Sequence, residues 1–217
     1  MDNRLETLFD LAGTGEVFCD IGCDHGFVSK KALDSGKFKR VVIADISAKS
    51  LQKAQKLLEP YGNLVSSYVS NGFNNITESV SVAFIAGMGG EEITSILKSA
   101  SVLPYKLVLG PQGHSEKVRR ILVELGYYVE RDFTLYSLGK YYDAISAVKE
   151  DSVSTYTELD YKYGKENLAV KPIDFINKIK SELIFKTSLL NRNLSESDKA
   201  LIISEVEELK GILNENN

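Results

Sequence analysis

The chain has 217 residues, 43% hydrophobic and 26% charged, with a formal net charge of −4 and two cysteines. That is room for one substantial α/β domain and an appendage around a packed core. The charge argues against a protein that grips nucleic acid by bulk electrostatics while leaving room for a local basic face, and no apolar run approaches the roughly 20 residues of a membrane span.

The start, Met1-Asp2-Asn3-Arg4, lacks a signal-peptide pattern, so a cytoplasmic protein with no membrane partner is expected. Leu5, Leu8, Phe9 and Ala12 recur at helical spacing over residues 3–12. A first strand, about 16–21, then runs into Asp20-Ile21-Gly22-Cys23-Asp24-His25-Gly26. Strand, tight turn and helix in that order make the first βα unit of a nucleotide-binding α/β fold. Glycine at 22 lets backbone approach a ligand, and the following helix directs N–H groups at it. The spacing is neither the dehydrogenase G-x-G-x-x-G nor a P-loop; D-x-G-x-D-x-G is similar to the S-adenosylmethionine (SAM) loop of Rossmann-like methyltransferases. Cys19 and Cys23 form a C-x3-C pair in a chain with two histidines, a poor metal site, so no metal is expected. They read as a buried strand residue and a small loop residue.

After a helix over roughly 26–36, Arg40 to Asp45 reads as a second buried parallel strand. Its terminal acid lies about 20 residues beyond the glycine loop. There Asp45 either accepts both ribose hydroxyls of a nucleoside or caps the next helix through Ser47, and the spacing favours the ribose. The helix 48–59 turns Leu51, Ala54, Leu57 and Leu58 inward. A weak third strand, about 64–69, delivers Asn71-Gly72-Phe73, where Asn71 either reads an adenine amine or sits in a plain turn. The fourth strand, Val82 to Ala86, enters Gly87-Met88-Gly89-Gly90, more glycine than a corner requires. Ligands bind outside such strand ends. A fifth strand, Lys106 to Leu109, leads to Gly110-Pro111-Gln112 and a helix bearing Lys117, Arg119 and Arg120. Residues 126–135 and 141–148 read as a closing β-hairpin that carries Tyr141 and Tyr142.

Beyond about residue 151 the character changes. Residues 152–163 read as a linker or connecting helix, and two amphipathic helices follow over 172–190 and 196–213, with Ser195 and Asp198 as a capping pair for the second. The expected organisation is a Rossmann-like class I methyltransferase domain over 1–150, with a mostly parallel seven-stranded sheet. A coiled-coil-like helical hairpin follows over 151–217, as a clamp beside the first domain or as a dimerisation element. The oligomeric state stays open, with a monomer favoured.

Asp20-Ile21-Gly22-Cys23-Asp24-His25-Gly26, Ile85-Ala86-Gly87-Met88-Gly89-Gly90 and Leu109-Gly110-Pro111-Gln112 occur in order before a Tyr-rich hairpin and a helical tail. Over the whole chain this pattern resembles the bacterial TrmK family, SAM-dependent tRNA (adenine22-N1)-methyltransferases. The resemblance implies a Rossmann-like domain with a C-terminal coiled coil, tRNA as partner, and S-adenosylhomocysteine (SAH) as cofactor product. Three places depart from the family pattern: Asp45 stands where a glutamate is expected, Asn71-Gly72-Phe73 where an aspartate-containing stretch is usual, and Gly110-Pro111-Gln112 in place of Q-P-N.

Cofactor contacts are expected from Asp20, Ile21, Gly22, Cys23 and Gly26, from Asp45 and Ile46, from Asn71, Gly72 and Phe73, and from Ala86 and Gly87. Catalytic candidates are Asp24, His25, Gly87, Met88 and Gln112. Methylated N1 of adenine becomes cationic, and Asp24 either stabilises that charge or only bonds its own loop. His25 either shapes the loop or takes a proton. Arg4, Lys117, Arg119 and Arg120 are candidate tRNA contacts, while Tyr141 and Tyr142 either stack on the base or are ordinary strand aromatics. Two other readings remain at this point: a methyltransferase acting on a small molecule or protein, and a non-catalytic SAM-binding module.

Overall fold

A computed structural model describes residues 2–150 and 155–214. Seven strands form one sheet in the order β3-β2-β1-β4-β5-β7-β6. They are β1 (Gly15–Ile21), β2 (Phe38–Asp45), β3 (Val65–Val69), β4 (Val82–Ala86), β5 (Lys106–Gly110), β6 (Tyr127–Ser137) and β7 (Lys140–Lys149). β1 to β5 pair in parallel, and β7 runs antiparallel to both its neighbours. The sheet and hairpin expected from the sequence are therefore present.

The central strands are apolar on both faces, and alternation sorts them into two cores. Phe18, Val41, Ile43, Phe84 and Val108 face one side, where α1 (Asn3–Leu11), α2 (Phe27–Asp34) and α3 (Ala48–Leu58) bury Phe9, Val28, Leu51 and Leu58. Cys19, Ile21, Val42, Ile85, Leu107 and Leu109 face the other, under α4 (Gly90–Ser99) and α5 (Ser115–Glu124). Phe18 is the hub of the first core, with ring centroids 5.9 Å from Phe9, 4.9 Å from Phe38 and 5.8 Å from Phe84. β1 hydrogen-bonds β2 on one side and β4 on the other, so the chain winds outward in opposite directions from it. The crevice at the carboxyl ends of those two strands is the place where such sheets bind ligands.

The C-terminal part comprises α6 (Glu158–Tyr163), α7 (Lys165–Val170), α8 (Ile173–Leu189) and α9 (Glu196–Asn214). The boundary expected at 150/151 adjoins residues 151–154, which lie outside the described residues, as do 215–217. Lys186 pairs with Glu205 at 2.6 Å and Lys171 donates to the Ile212 carbonyl at 2.8 Å, so α8 and α9 run antiparallel. Tyr163, Phe175, Ile179, Leu209 and Ile212 form their common core. Ser195 accepts from the Asp198 amide at 3.1 Å, the expected cap of α9.

These helices also close the open edge of the sheet. The outward amides of β6 at Asp132, Thr134 and Tyr136 donate to Glu166 (2.7 Å), Asn167 (2.8 Å) and Asp174 (2.9 Å). An uncovered edge would template pairing with another chain. Here side chains of α7 and α8 take the place of a further strand.

Candidate active site

The carboxyl ends of β1, β2 and β4 open into a cavity of about 440 Å³, within the range of small-molecule sites. The loop after β1 forms one wall. Gly22 adopts φ +74°, and a Cβ there would collide with the Met88 methyl group, so glycine both fits the turn and makes room for methionine. Asp45, ending β2, accepts from the Ser47 amide at 2.8 Å and the Asp24 amide at 3.3 Å. It thus ties two loops together while each oxygen keeps a further lone pair for a ligand. Ser47, not Asp45, caps α3 with its hydroxyl, accepting from the Ser50 amide.

Asp20 projects from β1 into the cavity wall and accepts from the Ser29 hydroxyl at 2.6 Å. Burial pushes its carboxyl up to about 6, although the Ser29 bond pulls the other way. Burial also raises both cysteine thiols, Cys19 and Cys23, away from the reactive thiolate.

The Gly87-Met88-Gly89-Gly90 loop leans on the loop after β5. Gln112 donates its amide to the Met88 carbonyl at 2.8 Å, and Gly90 donates to the Gly113 carbonyl at 3.0 Å. A Cβ on Gly90 would stand 2.6 Å from that Gly113 oxygen, so the loops could not close up around any other residue. At Gly87 (φ +85°) a Cβ would meet nothing within 4 Å, which leaves open space beside the backbone.

Of the expected cofactor contacts, Asp20, Ile21, Gly22, Cys23, Asp45, Ile46, Asn71, Gly72, Ala86 and Gly87 line the cavity. Gly26 and Phe73 do not. Gly26 packs against Ala54 of α3 and Phe73 is buried in the core, so both support the loops from behind. Asp24, His25 and Met88 line it, whereas Gln112 is exposed and meets the site through its backbone alone. The Asp24 carboxylate lies 3.6 Å from His25 Nε2 and 3.8 Å from Lys53 Nζ, and His25 stacks on Phe27 at 5.7 Å. Leu5, Phe27, Val28, Ser70, Phe84, Glu92 and Ile96 also line the cavity and were not singled out in the sequence. Only Ser70 had a signal available, as the residue directly after a strand.

The basic residues correct the sequence reading. Arg119 is fully buried, not a surface contact. Its guanidinium donates to both Asp132 oxygens (2.9–3.0 Å), to Asp143 (3.1 Å) and to the Tyr161 carbonyl (3.1 Å), bolting α5 to β6, β7 and α6. Burial pushes Asp143 up, but Arg119 and Lys178 beside it reverse this and hold the carboxyl well below the usual range. Arg4 is no surface residue either: its side chain is 11% exposed and lines the cavity. Lys117 is exposed and Arg120 half-buried, and both are engaged, with Glu91 at 2.5 Å and with Glu116 and Glu158 at 3.0 and 2.5 Å. Tyr141 and Tyr142 stand together in a separate cleft of about 290 Å³ with Pro111, His114, Lys162 and Lys178.

The cavity suits a cationic nucleoside. It carries four acids, Asp20, Asp24, Asp45 and Glu92, and glycine backbone for close approach. Among the described residues no helix is long and apolar enough to cross a membrane.

Comparison with known proteins agrees with this architecture. The tRNA (adenine(22)-N(1))-methyltransferase of Bacillus subtilis is 26% identical over 194 residues, 86% of this chain and 79% of that protein. Streptococcus pneumoniae Sp1610 superposes with a TM-score of 0.91 at 22% identity, over 99% of this chain and 100% of that one. Mycoplasma capricolum TrmK, solved with SAH, gives 0.88 at 22% identity, over 97% and 96%. At such identities the structural likeness speaks for the fold. The family model described as "Methyltransferase domain" matches residues 1–145, two thirds of the chain, and the chain belongs to that family.

Proposed function

We propose that this chain is a SAM-dependent tRNA methyltransferase of the TrmK type, transferring a methyl group to N1 of adenine 22 in the D-loop. The observation that carries the reading is the junction of the Gly87–Gly90 and Pro111–His114 loops at the mouth of an acid- and glycine-lined cavity. Support comes from the Bacillus subtilis relative, which carries that activity in its name, and from the Mycoplasma capricolum structure, which holds SAH.

SAM supplies a methyl group on a sulfonium leaving group. Transfer is an in-line displacement: the N1 lone pair forms the new C–N bond while the C–S electrons return to sulfur. The protein then has to align, exclude water and match charge, and alignment alone is worth on the order of 7–11 kcal/mol in well-oriented systems. In this reading Asp45 would take the ribose hydroxyls, Asn71 and Gly72 would hold the adenine of the cofactor, and Gly22 and Met88 would pack beside its methyl-bearing end. Gly87 offers the target base a surface without a side chain. Asp24, in the cavity lining, would offset the charge that develops on the methylated ring. An N1 nucleophile sits on the pairing edge, so the base must leave its stack, at a cost of a few kcal/mol.

The tRNA face in this reading is the cleft of Tyr141, Tyr142, His114, Lys162 and Lys178, between the loop after β5, the β6–β7 hairpin and the C-terminal helices. Arg4 lies 4.7 Å from the Tyr142 ring centroid, so the cleft adjoins the cofactor cavity. Two aromatic rings suit a splayed nucleotide, and its phosphate would share the ammonium groups of Lys162 and Lys178 with Glu208 (2.5 Å) and Asp143 (3.5 Å). Residues 1–150 and 151–217 would then act as catalytic and RNA-clamping units.

The test is transfer of labelled methyl from SAM to an unmodified tRNA transcript with adenine at 22, beside the same transcript with guanine there. Label on the first alone is expected. Equal label on both, or none on either with SAM bound, would overturn the proposed position and substrate.

A further inference from the structure

Arg119 is buried and Arg4 nearly so, and the two are treated in opposite ways. Arg119 spends its guanidinium on two carboxylates and a backbone carbonyl. Arg4, with a side chain only 11% exposed, has one carboxylate near it, Asp2, at 3.8 Å. The other Asp2 oxygen caps α1 by accepting from the Leu5 amide at 2.8 Å, which holds this carboxylate at the helix start, beyond hydrogen-bond distance of Arg4. The Nη1 group of Arg4 is shielded from water and has no hydrogen-bond partner. A guanidinium taken out of water without full pairing is costly, and folded proteins retain such a group where something else completes it.

The cavity says what is missing. Its lining carries Asp20, Asp24, Asp45 and Glu92, and Arg4 is the one arginine or lysine among the residues that form it. An all-acid lining would suit a simple cation. SAM and SAH instead end in an amino acid, with a carboxylate beside the ammonium group. In the SAM reading Asp45 marks the ribose side, and Arg4 enters the lining from α1, next to Leu5. The Tyr142 ring, 4.7 Å from the guanidinium carbon, orients the plane without using a donor. A planar fork with an unpartnered Nη1 in a desolvated wall suits a carboxylate.

We propose that Arg4 anchors the α-carboxylate of the cofactor, which rests on the SAM reading given above, and that it is not a tRNA phosphate contact. The test measures binding of SAH and of 5′-methylthioadenosine, which lacks the amino acid, by calorimetry to wild-type protein, Arg4→Gln and Arg4→Lys. Arg4→Gln is expected to weaken SAH by about 10- to 100-fold and methylthioadenosine by less than about twofold. Arg4→Lys, which keeps the charge without the fork, should fall between. The KM for tRNA at saturating SAM should stay within about threefold. Equal weakening of both nucleosides would make Arg4 a merely structural residue and overturn the proposal, as would SAH affinity that Arg4→Gln leaves intact or a rise confined to the KM for tRNA. Wild-type protein that binds neither nucleoside would overturn the cofactor reading itself, and the anchor with it.

Discussion

Gly22 and Asp20 sit two residues apart and fail in different ways when changed. Alanine at 22 must hold φ near +74° and push the Met88 methyl out of its place in the cavity. The backbone strain costs about 1–2 kcal/mol. We expect Gly22→Ala to lower stability by about that amount in urea denaturation and to weaken SAH binding more than tenfold by calorimetry. Asp20 acts through its proton. Because burial pushes its carboxyl up to about 6 from an ordinary 3.8, the folded protein holds this proton more tightly than the unfolded chain does. Its contribution to stability is therefore greatest below about pH 4, falls as pH rises to about 6 and is level above, a loss of about 3 kcal/mol in all. Asp20→Asn should flatten that interval in a pH series of denaturation midpoints. A cationic cofactor favours the ionised form, so SAM binding at pH 5.5 should release protons from wild-type protein and fewer from Asp20→Asn. Calorimetry in buffers of different ionisation enthalpy checks this.

Elements were legible in the sequence where burial is periodic. β1, β2, β4 and β5 are apolar on both faces, and each lies within a residue or two of its expected bounds. β3 is exposed or half-buried along its length, which is why its pattern is weak. α7 was missed because six residues between Gly164 and Lys171 bury only Asn167, a polar side chain that writes no apolar period. Arg119 was misjudged for a related reason: its carboxylate partners lie 13 and 24 residues further on, at distances no local pattern encodes. Its position beside Val118 and Leu122 on α5 was the available hint, as Leu8 one turn on was for Arg4. Removal of the Arg119 charge leaves two buried carboxylates uncompensated. Arg119→Met should cost about 3–5 kcal/mol in denaturant unfolding, with tRNA affinity of the folded protein unchanged within about twofold. A fall in tRNA affinity at unchanged stability would restore Arg119 as a substrate contact.

At the scale of the molecule, charge is mostly spent internally. Lys30 pairs with Asp34, Lys31 with Glu6, Lys117 with Glu91, Arg120 with Glu158 and Lys186 with Glu205. Such surface pairs add little stability, but they leave few cations for phosphates. We expect tRNA affinity to fall with salt at a log–log slope of about −2 to −3, as for a few phosphate contacts. Filter binding at several ionic strengths reads the slope, and a value beyond about −6 would mean a far larger basic footprint.

The side-chain caps on β6 decide how the C-terminal helices can be studied at all. Glu166, Asn167 and Asp174 occupy the donors that a neighbouring strand would otherwise seek. A chain cut after residue 150 would present those amides bare along an eleven-residue strand, and two copies could zip together there. Sedimentation of the shortened chain should reveal dimers or larger particles, so its lost activity would report a blocked sheet rather than a missing RNA clamp. Charge reversals at the far turn between α8 and α9, with the three caps left in place, separate those two causes.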